Sequence, residues 1–260
     1  MAFNLKVLWS YRELILTLMV REIKVRYKQT WLGVGWAILQ PLVLMLVFTV
    51  VFTKFVRLAP DSVPYPLFSY AALLPWTFFA SSLSFAIPSI VNNINLVTKI
   101  YFPREIIPLA VVGASLVDFI IASLLFVGMI YLYGLTIKLT ALGILLVVGI
   151  QFFLTLGLAF LGASLNVFFR DLRFLVPIAL QILMFLSPVI YSLDMVSSKF
   201  KYLLSLNPLT GIIESYRSLL LYGRLPNLFC FAISLIMSVT IFVVSYRFLK
   251  AHEFKFADLI

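Results

Sequence analysis

Six continuous apolar runs, each about the length of a bilayer-crossing helix, constrain this chain more than any other feature of its sequence. They extend from about Gly33 to Phe55, Leu67 to Val91, Ile106 to Tyr133, Ala141 to Val167, Leu175 to Tyr191 and Asn227 to Leu249. Roughly 20 helical residues cross the ~30 Å hydrocarbon core of a membrane. A membrane barrel alternates apolar and polar residues over strands of about ten residues, and these runs do not alternate. Of the 260 residues 63% are hydrophobic and only 12% charged, about half the charged share of a soluble domain. So much apolar surface cannot hide in one water-soluble core. The expected fold is therefore an all-α integral membrane protein of six transmembrane helices, forming one domain over residues 1–260.

Two stretches depart from the spanning pattern. In residues 1–30, Leu14 to Val20 is apolar but too short to span, and Arg12, Glu13, Arg21 and Glu22 bracket it. Arg21, Lys24, Arg26 and Lys28 then alternate with Ile23, Val25 and Tyr27. A basic amphipathic segment of this kind lies in the headgroup plane. Tyr202 to Tyr222 is apolar enough to suggest a seventh span, but Asn207-Pro208, Gly211, Glu214 and Arg217 interrupt it. Asn207 reads as an N-cap with Pro208 at the first helical position. The helix it starts, about 14 residues long, is too short to span. Residues 192–226 are thus expected to form a re-entrant or interfacial hairpin between spans five and six. With both termini cytoplasmic, the inner segments hold thirteen Lys and Arg and the outer segments seven, Arg57 and Arg217 among them. That is the positive-inside bias.

The charge of +10 fits basic flanks of membrane spans meeting anionic lipid better than a nucleic-acid partner. Cys230 and His252 are the only residues of their types, too few for a disulfide or a zinc site. The N-terminus reads as retained, because no small-residue cleavage site follows the first strongly apolar run. No G-x-x-x-x-G-K-[ST] phosphate loop occurs. The Trp31-Leu32-Gly33-Val34-Gly35-Trp36 glycines read instead as a flexible, close-packed elbow before the first span. No Ser/His/Asp set exists for hydrolysis, so the chain is not expected to be an enzyme. Asp118 is the one acidic residue deep in a clear span. It fits a hydrogen-bonded structural role facing another helix, and it could alternatively serve a proton relay. Gln40, Gln151, Asn166 and Gln181 are polar groups expected to bond helix to helix.

The run Arg26-Tyr27-Lys28-Gln29-Thr30-Trp31-Leu32-Gly33-Val34-Gly35-Trp36-Ala37-Ile38-Leu39-Gln40-Pro41-Leu42 resembles the signature of ABC type-2 exporter permeases. More narrowly, it is similar to permeases that export O-antigen, capsule or teichoic acid. The resemblance covers the whole chain: Asn95 to Glu105 matches the loop between spans two and three, Arg170-Asp171-Leu172 the next inner loop, and Asn207-Pro208 the outer hairpin. It implies a homodimer in the bacterial inner membrane, working with two cytoplasmic ATPase subunits that carry the ATP and Mg. This chain would hold no cofactor, and a lipid-linked glycan, most closely O-antigen, would pass between the copies. Rival readings are an ABC exporter of drugs or lipids and a secondary carrier or ion channel dependent on Asp118.

Three groups of residues are candidates for these roles. Leu96, Lys99, Tyr101, Phe102 and Arg104 form an inner loop suited to ATPase coupling, with Tyr101 and Phe102 as apolar anchors and the cations at the rim. Trp36 with Gln40, and Gln181 with Phe185, are pairs four residues apart on a helix face. Aromatic rings with polar tips suit the apolar faces and polar edges of sugars, so these pairs are candidates for the glycan path. Arg21, Lys24, Arg26 and Lys28 are candidates for meeting a carrier pyrophosphate or the lipid surface.

Overall fold

A computed structural model describes residues 5–55 and 63–256. Arg57 and residues 1–4 of the expected interfacial segment lie outside the described residues. Among the described residues twelve α-helices form in order: α1 (Leu5–Ser10), α2 (Arg12–Tyr27), α3 (Trp36–Val50), α4 (Tyr65–Ala86), α5 (Ser89–Asn92), α6 (Ile94–Lys99), α7 (Ile106–Leu132), α8 (Ile144–Phe168), α9 (Leu172–Phe185), α10 (Ser198–Ser205), α11 (Pro208–Leu220) and α12 (Leu228–His252). No strand occurs among the described residues.

Among the described residues, four helices are long and apolar enough to cross a membrane: Gly33–Phe55, Ile106–Leu132, Leu139–Phe168 and Leu228–Lys255. The other two expected spans are built differently. At 1.5 Å per residue α4 is about 33 Å long, but Ser69, Thr77, Ser81, Ser82 and Ser84 reduce its apolar character. It can carry them because it is central, packed by α3, α7, α8, α9 and α11 and buried along most of its length. It ends at Ala86, short of the expected Val91, and the short α5 follows. The fifth expected span also stops early: α9 ends at Phe185, about 21 Å long, and turns replace helix up to Tyr191.

That break leaves backbone carbonyls without helical partners, which membrane proteins tolerate only where other groups satisfy them. Arg217 of α11 does so. Its Nη2 donates to the Val189 carbonyl at 3.0 Å, and its Nη1 donates to the Tyr191 carbonyl at 3.2 Å and to Glu214 at 2.9 Å. Its Nε donates to the Phe68 carbonyl at 3.4 Å, and the guanidinium lies 3.6 Å from the Phe68 ring centre. The Tyr65 hydroxyl donates to the Ile190 carbonyl at 3.0 Å, and the Asn207 amide donates to Ser187 Oγ at 2.9 Å. An arginine that reads as an outer-side charge is therefore wholly buried, clasping the turn after α9 to α4 and α11.

The start of α11 matches its sequence signal, and α12 starts in the same way. Asn207 caps α11 by accepting from the Leu209 amide at 3.0 Å, and Asn227 caps α12 by accepting from the Phe229 amide at 2.9 Å. Inside the bundle, the Gln151 amide donates to the Pro75 carbonyl at 2.7 Å, and Gln151 Oε1 accepts from the Tyr216 hydroxyl at 2.9 Å. Of the four polar groups expected to join helices, Gln151 thus ties α4, α8 and α11, whereas Gln181 is exposed and the buried Asn166 Oδ1 has no hydrogen-bond partner among the described residues.

Gly211 sets the approach of α11 to α12, since a Cβ there would collide with Ser234 Oγ and the Cys230 carbonyl. Overpacking of this kind costs about 1–3 kcal/mol. Gly211→Ala is expected to lower the unfolding temperature in detergent while leaving a folded protein. An unchanged midpoint would show that the contact relaxes freely.

At the N-terminal side, the single interfacial segment expected over 1–30 is two helices, and α2 packs along α7. The elbow that follows is not close-packed within the chain. Gly33 has φ +53° with open space around it, and Trp31 is 95% exposed. The glycine is there for its left-handed backbone.

Candidate functional site

A cavity of about 430 Å³ opens between α2, α3, α4 and α7. Arg26 and Tyr27 close one side, Trp36, Ala37, Gln40, Pro41 and Leu44 come from α3, and Ser115, Asp118, Phe119 and Ala122 from α7. The α4 wall alternates rings and hydroxyls: Trp76, Thr77, Phe78, Ser81, Ser84 and Phe85. Beyond Trp36, Gln40 and Leu44, which it shares, a second hollow of about 390 Å³ adds Leu39 and Val43 on the outer face of α3.

Arg26 is the electrostatic centre of the larger cavity. Its Nη1 lies 3.0 Å from Asp118 Oδ2 and donates to Ser115 Oγ at 3.1 Å, and its Nη2 donates to the Val111 carbonyl at 3.3 Å. The guanidinium carbon sits 4.2 Å from the Phe85 ring centre, and the buried Nε has no hydrogen-bond partner. Burial pulls the guanidinium below its ordinary pKa, with Asp118 the strongest opposing influence. Burial, then the hydrogen bond and charge of Asp118, push the Tyr27 hydroxyl well above its usual range. Asp118 thus pairs α7 with α2 through Arg26.

The four cations grouped in sequence do not act as one surface. Residues two apart on a helix point about 200° apart, so Arg26 faces away from Lys24. Lys24 and Lys28 are exposed, whereas Arg26 is turned into the protein. Arg21 donates to Asn93 at 2.5 Å and pairs with Glu22 at 3.1 Å. Arg26 is thus corrected from a lipid-surface cation to a cavity residue.

Trp36 and Gln40 both line the cavity, but Gln181 and Phe185 do not. Those two project from α9, exposed beside Ile178 and Ile182. Sequence reasoning did not select Trp76, Phe85 or Ser84, because nothing in the pattern separates these residues of α4 from the many other rings and hydroxyls of the chain. Tyr27 had a signal in its place between Arg26 and Lys28.

At the same end of the bundle the inner-loop candidates divide. Tyr101 is 84% exposed, but Phe102 is only 4% exposed and packs into the chain's own core. The anchor role read for Phe102 is therefore internal. Lys99 is exposed and Leu96 half-buried. Arg104 lies 5.0 Å from the Phe102 ring centre and donates to the Ile100 carbonyl at 2.9 Å. Burial lowers its pKa, opposed by Glu253. Lys250 bridges Glu105 at 2.7 Å and Glu253 at 3.0 Å, joining the start of α7 to the end of α12. A hollow of about 400 Å³ is bounded by Tyr101, Phe102, Arg104, Lys250, Glu253 and residues of the N-terminal helices.

A family model described as ABC-2 type transporter matches residues 13–221. The O-antigen export system permease protein RfbA of Klebsiella pneumoniae is 30% identical over all of this chain and 98% of its own length. The protein of the same name from Myxococcus xanthus is 33% identical over 85% of each chain. The polysialic acid transport protein KpsM of Escherichia coli is 24% identical over 81% of this chain and 82% of its own.

Proposed function

The chain belongs to the ABC-2 type transporter family, and from that premise we propose that it is the permease of an ATP-driven exporter of lipid-linked polysaccharide, with O-antigen the closest substrate class. The observation that carries this reading is full-length similarity to an O-antigen export permease. The cavity between α2, α3, α4 and α7 supports it, since alternating rings and hydroxyls suit the two kinds of surface a sugar presents. In this reading the chain crosses the inner membrane six times with both termini cytoplasmic. The buried α4 and the short α9 complete the four plainly apolar spans, and residues 192–226 form the outer hairpin.

A second copy packs against the exposed apolar face of α9, where Phe174, Ile178, Ile182 and Phe185 have no covering element. The glycan passes beside Gln181 and Phe185, between copies. Two ATPase subunits dock at the end bearing α6 and Tyr101 and hold the ATP and Mg. Closure of that pair drives the substrate outward.

The test is to purify the chain in lipid with its candidate ATPase partner and follow glycan-lipid movement. The expected result is a complex that moves lipid-linked glycan only when ATP is hydrolysed. A complex that moves drugs or simple lipids but not glycan would overturn the substrate assignment. Transport without any ATPase, following a pH gradient and lost in Asp118→Asn, would overturn the exporter reading itself.

A further inference from the structure

We infer that Lys250 is a latch between α7 and α12, through which movement of the inner loop at residues 100–104 is carried into both helices together. This rests on the exporter reading and adds to it a positioning residue that touches neither substrate nor nucleotide. The observation behind it is a buried ion cluster joining two helices that otherwise have different neighbours. Helix α7 packs chiefly on α4 and α2, and α12 chiefly on α8 and α11. At the start of α7, however, the buried Glu105 carboxylate lies 2.7 Å from Lys250 Nζ in the last turn of α12. The same ammonium pairs with Glu253 at 3.0 Å, just beyond that helix.

The inner loop runs directly into this cluster. Arg104 precedes Glu105 and folds back on the loop, against the Phe102 ring and the Ile100 carbonyl. Phe102 is buried and Tyr101 exposed, so the loop is a compact knuckle with one outward face. Beside it lies the hollow of about 400 Å³ that Val7 and Tyr11 help to bound, so the loop has room to shift while its ionic tie holds. Burying charges is a costly way to join two helices, because apolar residues of similar volume usually do as well. An ammonium adds three rotatable donors, which keep hold of both carboxylates as the angle between the helices changes. A close-packed apolar contact keeps its shape only at one angle. The cluster therefore suits a joint that transmits movement.

The experiment uses the full chain in complex with its candidate ATPase partner in lipid. Lys250→Met alone would leave buried carboxylates unpaired, so the decisive variant is the neutral triple, Glu105→Gln with Lys250→Met and Glu253→Gln. It is expected to keep the parent's unfolding midpoint and ATPase association, and to export about tenfold less glycan per ATP hydrolysed. Lys250→Arg, which keeps the charge, should retain most of the export. Amide hydrogen exchange with and without ATP supplies a second measurement. In the parent, ATP should alter exchange both at the start of α7 and over residues 247–253, and in the triple variant only at the start of α7. A triple variant with the parent's export per ATP overturns the latch, and so does one whose lower midpoint accounts for all of its lost export. An ATP response of α7 without α12 in the parent overturns it whatever the variants do. A parent that responds to ATP at both helices but moves no glycan keeps the latch and overturns the substrate assignment. A parent that binds no ATPase overturns the exporter reading and the latch with it.

Discussion

Replacing Arg217 with methionine is expected to leave little correctly folded protein in the membrane, a larger loss than removing any single apolar contact in the bundle. The side chain is wholly buried and donates to the carbonyls of Phe68, Val189 and Tyr191 as well as to Glu214. A buried acceptor left without a donor costs about 1–3 kcal/mol. Losing Arg217 strands the Val189 and Tyr191 carbonyls together and leaves Glu214 without its partner, whereas the Phe68 carbonyl keeps its bond within α4. The sum is comparable with the whole stability of an ordinary domain, about 5–15 kcal/mol. Arg217→Lys keeps the charge but lacks the planar fork that reaches several carbonyls at once, so it should recover only part of the loss. The check is the fraction of protein eluting as a single species after mild detergent extraction, with exposed Lys199→Met as the control. Parent-like recovery of Arg217→Met would mean that other groups or water satisfy the 189–191 turn.

The contrast between Arg217 and Asn207 marks where sequence patterns stop being informative. Asn207-Pro208 acts locally: the side chain caps the helix that begins at the next residue, so the dipeptide predicts α11 by itself. Arg217 acts on carbonyls that lie 26 and 28 residues earlier in the chain, and on Phe68, 149 residues earlier. No local pattern encodes those partners, so the residue reads as a charge that ought to face water. The same distinction separates the site residues. Trp36 and Gln40 are legible because one helical face carries both. Arg26 is legible as a cation, but its turn into the protein is not, since its partner Asp118 lies 92 residues away. The continuous apolar runs are legible because the bilayer imposes their length. Where it does not, as in the buried and hydroxyl-rich α4 and the truncated α9, run length misplaces the helix ends.

Tyr101→Asp is expected to abolish ATP-driven export while leaving expression, extraction and thermal stability near those of the parent. Neighbouring Phe102→Asp should fail earlier, at folding. The two rings are adjacent in sequence, and their burial separates them: Tyr101 is 84% exposed and Phe102 4%. An exposed aromatic beside the half-buried Leu96 and the exposed Lys99 is suited to anchoring a partner, and losing such an anchor costs about 2 kcal/mol or more. That corresponds to about thirtyfold weaker association, and a carboxylate placed in the contact would add a desolvation cost. At Phe102 the same carboxylate would enter the chain's own core against the Arg104 side chain, disturbing the junction where Lys250 ties Glu105 to Glu253. A coupling role and a folding role thus predict different readouts: ATPase co-purification for Tyr101 and the unfolding midpoint for Phe102. If Tyr101→Asp keeps both ATPase association and export, the partner docks elsewhere on this end of the bundle. The junction of α7 and α12 around Lys250 would then be the next surface to probe.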